Sequence, residues 1–487
     1  MQNTSVRNQD PKILWNHFAD INAVPRASKK EERIIAFMVE FGNKLGLETL
    51  VDPAGNVIIK KPATPGMENR KPVVLQSHLD MVHQKNNDVD FDFNTQGIKM
   101  YVDGDWVKAD GTTLGADNGL GVAAIMSVLS GSDIAHPALE ALFTIDEETG
   151  MTGAKGLQAG YLEGEILLNL DTEEEDEIDI GCAGGIDVTM TKAYDPVAPG
   201  AHDQGLQISV KGLQGGHSGM DIHKGLGNAN MIMNRIISQL HPMVRISEIE
   251  GGGLRNAIPR ESVAILTCKT SDIPAVKQSF ELVAQELKQE FAGVEPGLNC
   301  TLSEVSAPSE MISLSVQENL LKSISDAVNG VYKMSEDIED LVEASNNIAR
   351  VEVGKGQITI LCLTRSSVEK SKMEVVDSLK DSFSSGGFQI SLSGEYPGWS
   401  PNKDSAILKV LENIYEEMFG NKPSVVACHA GLECGILGSN YPEMDMISFG
   451  PTIKGAHSPD ERACISSTSR FWKFLQEILK NIPEKQV

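Results

Sequence analysis

Four short apolar runs, at positions 73–76, 139–145, 166–170 and 446–449, each lead into a histidine or a carboxylate. Runs this short, apolar at nearly every position, fit strands buried on both faces of a sheet. Another such run lies at 57–59, and helical patterns fall at 12–18, 30–45 and 119–130. Strands alternating with helices predict an α/β domain. In such domains ligands and reacting groups collect where strands end, so one pattern limits both the fold and the place of a site.

The texture changes between residues 187 and 398, where segments are longer and less apolar. Positions 272–308 and 367–397 each read as a charged helix (276–291; 370–383), a turn with glycine and an alternating strand (298–302; 388–392). Each half is also expected to begin with a strand, at 205–211 and 357–363. Helix and strand patterns resembling those of the first segment return at 403–418, 446–449 and 469–479. The expected organisation is a catalytic domain in two parts, 1–186 and 399–487, interrupted by an α+β domain, 187–398, built from two related halves.

Sixty-eight acidic against 42 basic residues leave a net charge of -26, which disfavours nucleic acid and anionic membrane surfaces as partners. Residues 1–10 are polar, and no apolar run reaches the length of a membrane span. A cytoplasmic protein is expected. The seven cysteines (182, 268, 300, 362, 428, 434 and 464) are scattered and include no C-x-x-C pair, which argues against a disulfide framework and a thiolate metal site.

Five motifs carry chemistry. Gln76-Ser77-His78-Leu79-Asp80 follows the first run, so that His78 and Asp80 leave the strand on the same side. An imidazole can bind a metal through one nitrogen while a carboxylate fixes the other; alone, the pattern is as readily structural. Gly115-Ala116-Asp117-Asn118-Gly119 is a polar loop opening into a helix, in which Asp117 is a candidate bridging ligand or an ordinary N-cap. The spacing Gly119-x-Gly121-x-x-Ala124 imitates a dinucleotide fingerprint, but a loop precedes it where a strand is required. Asp146-Glu147-Glu148-Thr149-Gly150 places three adjacent carboxylates at a strand end, where neighbouring side chains would point apart. Asn169-Leu170-Asp171 ends another run, and the acidic stretch after it reads mostly as surface. Gly455-Ala456-His457-Ser458-Pro459-Asp460-Glu461 follows the last run. Together His78, Asp117, Glu148, Asp171 and His457 form a set of two imidazoles and three carboxylates, suited to a pair of zinc, cobalt or manganese ions.

In order and spacing these segments resemble the cocatalytic zinc peptidase family that includes carboxypeptidase G, succinyl-diaminopimelate desuccinylase and the carnosinases. Residues 61–82 and Gly181-Cys182-Ala183-Gly184-Gly185-Ile186-Asp187 extend the resemblance to its aminoacyl-histidine dipeptidase branch. The resemblance implies a zinc-peptidase-like fold with a mixed sheet flanked by helices and an inserted lid. It implies two metal ions per subunit, zinc before cobalt or manganese, with Asp117 bridging, His78 and Asp171 on one ion and Glu148 and His457 on the other. Glu147 would be the general base and Asp80 would orient His78. His217, in the glycine turn after residue 211, matches the histidine that donates to the oxyanion on domain closure. Asn256 and Arg365 are candidates for gripping the substrate carboxylate, and Gly431 matches a substrate-facing glycine loop. The implied reaction is hydrolysis of dipeptides, with preference for Xaa-His substrates such as carnosine.

Two other readings stand beside it: another amidohydrolase of the same architecture, of aminoacylase or desuccinylase type, and a non-catalytic binding protein on the same fold. The complete ligand set with Glu147 speaks against the second. Oligomeric state is open between a homodimer and a chain whose doubled insert supplies the second half internally.

Overall fold

The structure, a computed structural model, describes residues 3–336, 338 and 340–485; residues 1–2 and 486–487, the ends of the two expected catalytic segments, lie outside the described residues. Two compact units are present. One comprises Met1–Gly181, Pro401–Ala427 and Leu432–Val487, the other Cys182–Ser400 and Cys428–Gly431. The second unit thus opens at Cys182, earlier than residue 187. It also takes in residues 428–431, because Ala183 N–H donates to the carbonyls of Cys428 and Ala430 at 2.9 and 3.0 Å.

The first unit contains an eight-stranded mixed sheet in the order Glu48–Val51, Val57–Lys61, Leu139–Thr144, Val73–His78, Ile166–Asn169, Asp445–Ser448, Glu177–Cys182, Ser424–Cys428. The four strands from Leu139–Thr144 to Asp445–Ser448 are parallel, and nearly all of their residues are buried. Burial on both faces is why they read as nearly continuous apolar runs. The helix Ala116–Ser130 packs on Val73–His78 and against Lys12–Ile21; it is buried along its length apart from Asp117 and Ser130. Gly121 permits that approach, since a Cβ there would lie 2.4 Å from Ser77 Oγ and 2.5 Å from the Leu170 carbonyl. A small antiparallel sheet, ordered Ile453–Lys454, Arg462–Cys464, Trp106–Ala109, Met100–Asp103, sets the loop carrying His457 beside the segment that runs into Asp117.

The second unit is built on a nine-stranded sheet. Asp203–Lys211, Val244–Gly252, Ser262–Lys269 and Asn299–Val305, with helices Ala229–Leu240 and Ile273–Glu290, form one βαββαβ half whose spatial strand order is 4-1-3-2. Gly184–Ala193, Val342–Gly354, Gln357–Ser366 and Gln389–Tyr396, with helices Leu314–Asp326 and Glu369–Ser384, repeat that order. The halves join where Val244–Gly252 pairs antiparallel with Val342–Gly354. The strand expected to open the second half, 357–363, is instead its third; the opening strand, Gly184–Ala193, precedes the whole first half in sequence and pairs with Gln357–Ser366 along its length.

Candidate metal centre

The parallel strands deliver the motif residues to one place. His78 is the last residue of its strand, and Asp171 follows the end of the next by two residues. Glu147 and Glu148 do not continue a strand with side chains pointing apart; they open a helical turn, Glu147–Gly150, entered through Asp146 at φ 53°. Asp117 lies inside the helix Ala116–Ser130 but with non-helical torsions (φ -78°, ψ 114°). His457, at φ 62°, sits in the loop between Ile453–Lys454 and Arg462–Cys464. Left-handed conformations at non-glycine residues such as Asp146 and His457 cost energy and gather at functional sites.

His78 Nε2 lies 3.1 Å from Asp117 Oδ1 and 3.6 Å from Asp171 Oδ1. His457 Nε2 lies 3.1 Å from Asp117 Oδ2 and 2.9 Å from Glu148 Oε2. Asp117 therefore offers one oxygen to each of two groups. Ligand atoms held about 2.0–2.1 Å from one tetrahedral ion stand roughly 3.3 Å apart, so both groups have the spacing an ion requires. Glu148 Oε1 is buried with no hydrogen-bond partner among the described residues. Asp117, Glu147, Glu148 and Asp171 bring four carboxylates together, and two divalent cations would offset their four charges.

The electrostatics point the same way. Burial pushes the Asp171 carboxyl up to about 8; His78 opposes this, while Asp117, Glu433 and Glu148 add to it. Burial also lifts Glu147 well above the usual carboxylate range. His457 is raised to about 11 by its hydrogen bonds to Asp117 and Glu148. For His78, burial favours the neutral ring, but Asp171, Asp117 and Asp80 outweigh it and raise the pKa well above 6.5.

Several neighbours orient these groups. His78 Nδ1 is 3.2 Å from the Asp80 carbonyl and 3.3 Å from Asp80 Oδ1, which puts the proton on Nδ1 and frees Nε2 to ligate. Asp80 Oδ1 accepts from Glu147 N–H at 3.0 Å, and Oδ2 accepts from Glu148 N–H at 3.3 Å and Ser28 Oγ–H at 2.8 Å. Asn118 donates to Asp171 Oδ1 and to the Leu170 carbonyl.

In the second unit, Ala257 pairs with His217, and Ser218 N–H donates to the Asn256 carbonyl at 2.8 Å, so His217 and Asn256 are neighbours. His217 Nδ1 accepts from the backbone N–H groups of Gly219 and Met220 at 3.3 and 3.1 Å. The ring proton is then on Nε2. Arg365, 5% exposed, donates to Tyr396 Oη at 2.9 Å, and its Nε is buried without a partner among the described residues. Gly431 lies half-buried in the 428–431 segment.

The family model described as peptidase family M20/M25/M40 matches residues 74–481. The chain belongs to that family. It is 42% identical to the Escherichia coli (strain K12) cytosol non-specific dipeptidase, over 98% of both chains. The crystal structure of aminoacylhistidine dipeptidase from Vibrio alginolyticus superposes with a TM-score of 0.91 at 43% identity, covering 99% of both chains. Aminopeptidase PepT from Bacillus cereus shares the fold, with a TM-score of 0.57 at 16% identity over 97% of this chain and 99% of that one.

Other residues of this peptidase's centre escaped the sequence reading. Arg26, 2% exposed, donates to the carbonyls of Leu79 and Asp80 at 3.0 Å and of Gly115 at 2.5 Å, tying together the segments that carry His78 and Asp117. Burial lowers its pKa to about 10 against the pull of Glu461 and Asp80. Glu433, fully buried, accepts from Gln76 and Thr144. Neither has a local sequence signal, since their partners are distant in the chain. The acidic stretch after Asp171 is also not mainly surface. Glu173, Glu174 and Glu175 are half-buried, and Glu173 is pushed up to about 8 by burial and the nearby Asp117. Among the described residues no cysteine is in a disulfide, and no helix is long and apolar enough to cross a membrane.

Proposed function

We propose that this chain is a dimetal dipeptidase acting on unblocked dipeptides, Xaa-His substrates such as carnosine among them. The observation that carries the reading is the division of the two Asp117 oxygens between a His78–Asp171 group and a His457–Glu148 group. Two bound cations, zinc by the imidazole and carboxylate donors, would lower the pKa of a shared water and polarise the scissile carbonyl. Glu147 takes the water's proton on a carboxylate oxygen and returns it to the leaving amine. Asp80 holds the His78 ring and the backbone of Glu147 in place. The Nε2–H of His217 is the oxyanion donor, Arg365 and Asn256 take the substrate carboxylate, and the loop with Gly431 faces the substrate. A cytoplasmic location agrees with the name of the Escherichia coli relative.

The relatives carry names that differ in specificity, non-specific in one and aminoacylhistidine in the other. The test is hydrolysis of carnosine, of dipeptides without histidine and of N-acyl amino acids by chelator-stripped protein, with zinc, cobalt or manganese restored. Glu147→Gln is run in parallel. Metal-restored dipeptide cleavage, lowered about 10²–10⁴-fold in the variant while metal still binds, supports the reading. Cleavage of acyl amino acids alone would move the chain to the aminoacylase or desuccinylase type.

A further inference from the structure

Asp117 can bridge two ions only if its backbone is fixed, and the helix it occupies does not fix it. Both Asp117 and Asn118 depart from helical torsions, and the N–H groups of a helix's first turn have no carbonyl partner within the helix, so the residue whose two oxygens must be placed most accurately depends on an acceptor from outside. The backbone donors of this turn go instead to one side chain. Glu461 Oε2 accepts from the N–H groups of Leu114 and Gly115 at 2.7 and 2.9 Å, and Oε1 accepts from those of Ala116 and Asp117 at 2.7 and 3.2 Å. Four consecutive amides converge on one carboxylate that is 2% exposed.

Glu461 also lies four residues after His457, at the base of the same loop, and the next residue begins the strand Arg462–Cys464. Its own N–H is held by the Ser458 carbonyl at 3.1 Å. His457 and Asp117 are 340 residues apart in sequence, and Glu461 fastens the loop bearing the first to the turn bearing the second. From the other side Arg26 grips the Gly115 carbonyl.

We infer that Glu461 is a positioning residue for metal binding, which sets the two oxygens of Asp117 against His457 and His78 through the 114–117 backbone. This rests on the dimetal reading of the site. A carboxylate near a helix N-terminus is favourable in any case, but a simple cap would affect folding and leave the affinity and geometry of bound ions alone. A positioning residue moves both, and partners of this kind change metal affinity roughly 10- to 100-fold when replaced.

The test is a titration of chelator-stripped wild type, Glu461→Gln and Glu461→Asp with Co²⁺, followed by calorimetry and by the visible absorption of the bound ion, with thermal melts of the stripped proteins alongside. In Glu461→Gln an amide nitrogen replaces one acceptor oxygen and faces two backbone N–H groups. The expected result is a folded protein whose affinity for at least one ion falls roughly 10- to 100-fold, with an altered cobalt spectrum and partial recovery in Glu461→Asp. Wild-type affinity and spectrum in Glu461→Gln overturn the inference and leave the dimetal reading standing. A wild type that binds no Co²⁺ overturns both. If the glutamine variant does not fold, Glu461→Asp decides: a folded protein with weakened Co²⁺ affinity and an altered spectrum supports the inference, and wild-type affinity and spectrum sink it.

Discussion

Asp80→Asn isolates what holds the His78 ring. The substitution keeps volume, removes a charge and turns one acceptor oxygen into a donor. The cheaper orientation leaves the remaining oxygen at the Oδ1 position, accepting from Glu147 N–H and facing His78 Nδ1, and places the amide where Oδ2 meets Ser28 Oγ and Glu148 N–H. The Ser28 hydroxyl can rotate to accept, but Glu148 N–H cannot. That backbone donor is left facing another donor, a loss of about 1–3 kcal/mol. His78 Nδ1–H keeps the Asp80 carbonyl at 3.2 Å, so the ring should not swing free, and the effect belongs at the low end of the roughly 10- to 100-fold range for such partners. Metal titration of the stripped variant should show affinity about tenfold weaker, with kcat/KM reduced at limiting metal and partly restored at saturation. Unchanged affinity and turnover would refute the claim that this carboxylate orients the centre.

Gly115→Ala should destabilise the protein by about 1–3 kcal/mol and lower its melting temperature, because Gly115 sits at φ 68° and an added Cβ would meet Arg26 Nη2 at 2.5 Å and Met81 Sδ at 2.8 Å; an unchanged melt would contradict the close approach. Asp179→Asn tests a buried carboxyl whose pKa is raised to about 7 by burial, with Glu177 adding and the Thr172 hydroxyl opposing. Between about pH 4 and 7 the folded chain keeps a proton that the unfolded chain has lost, so stability falls as pH rises through that window. The variant should match wild type only below about pH 4, near the carboxyl's unfolded pKa, and be more stable than wild type at pH 8 by up to about 4 kcal/mol, about three pKa units at about 1.4 kcal/mol each; equal stability differences at both values would count against it.

The strand ends were legible because an apolar run followed by a ligating side chain needs no distant partner to be recognised. His78, Asp117, Glu148, Asp171 and His457 do lie together. What the local pattern could not carry was conformation at the turns. The expected helix at 119 begins at Ala116, with Asp117 irregular inside it, since the turn is governed by a carboxylate from the other end of the chain. Glu147 and Glu148 curl into a helical turn because Asp80 draws both of their N–H groups to one point. In the second unit the half starting at 357 was misregistered because its true first strand, Gly184–Ala193, is separated from it by the whole other half.

The sheet beneath the centre contains one more feature that apolar periodicity conceals. Glu433 accepts from Thr144 Oγ at 2.5 Å and from Gln76 Nε2 at 2.6 Å. Gln76 in turn accepts from Asn169, and Asn169 from Ser448 at 2.5 Å. Ser448 meets Thr172 at 2.8 Å, and Thr172 donates to Asp179 at 2.7 Å. This chain crosses all four parallel strands. Gln76 lies two residues before His78 and Asn169 two before Asp171, so each shares a face with the candidate ligand its strand delivers. Buried polar groups are costly unless paired, and a slip of one residue in any of these strands would unpair the chain; in the two strands that run into His78 and Asp171 it would also turn those side chains to the opposite face. Apolar burial alone tolerates such a slip in strands covered on both sides. The polar chain does not, and it can thereby hold four strand ends in the register that a pair of ions requires.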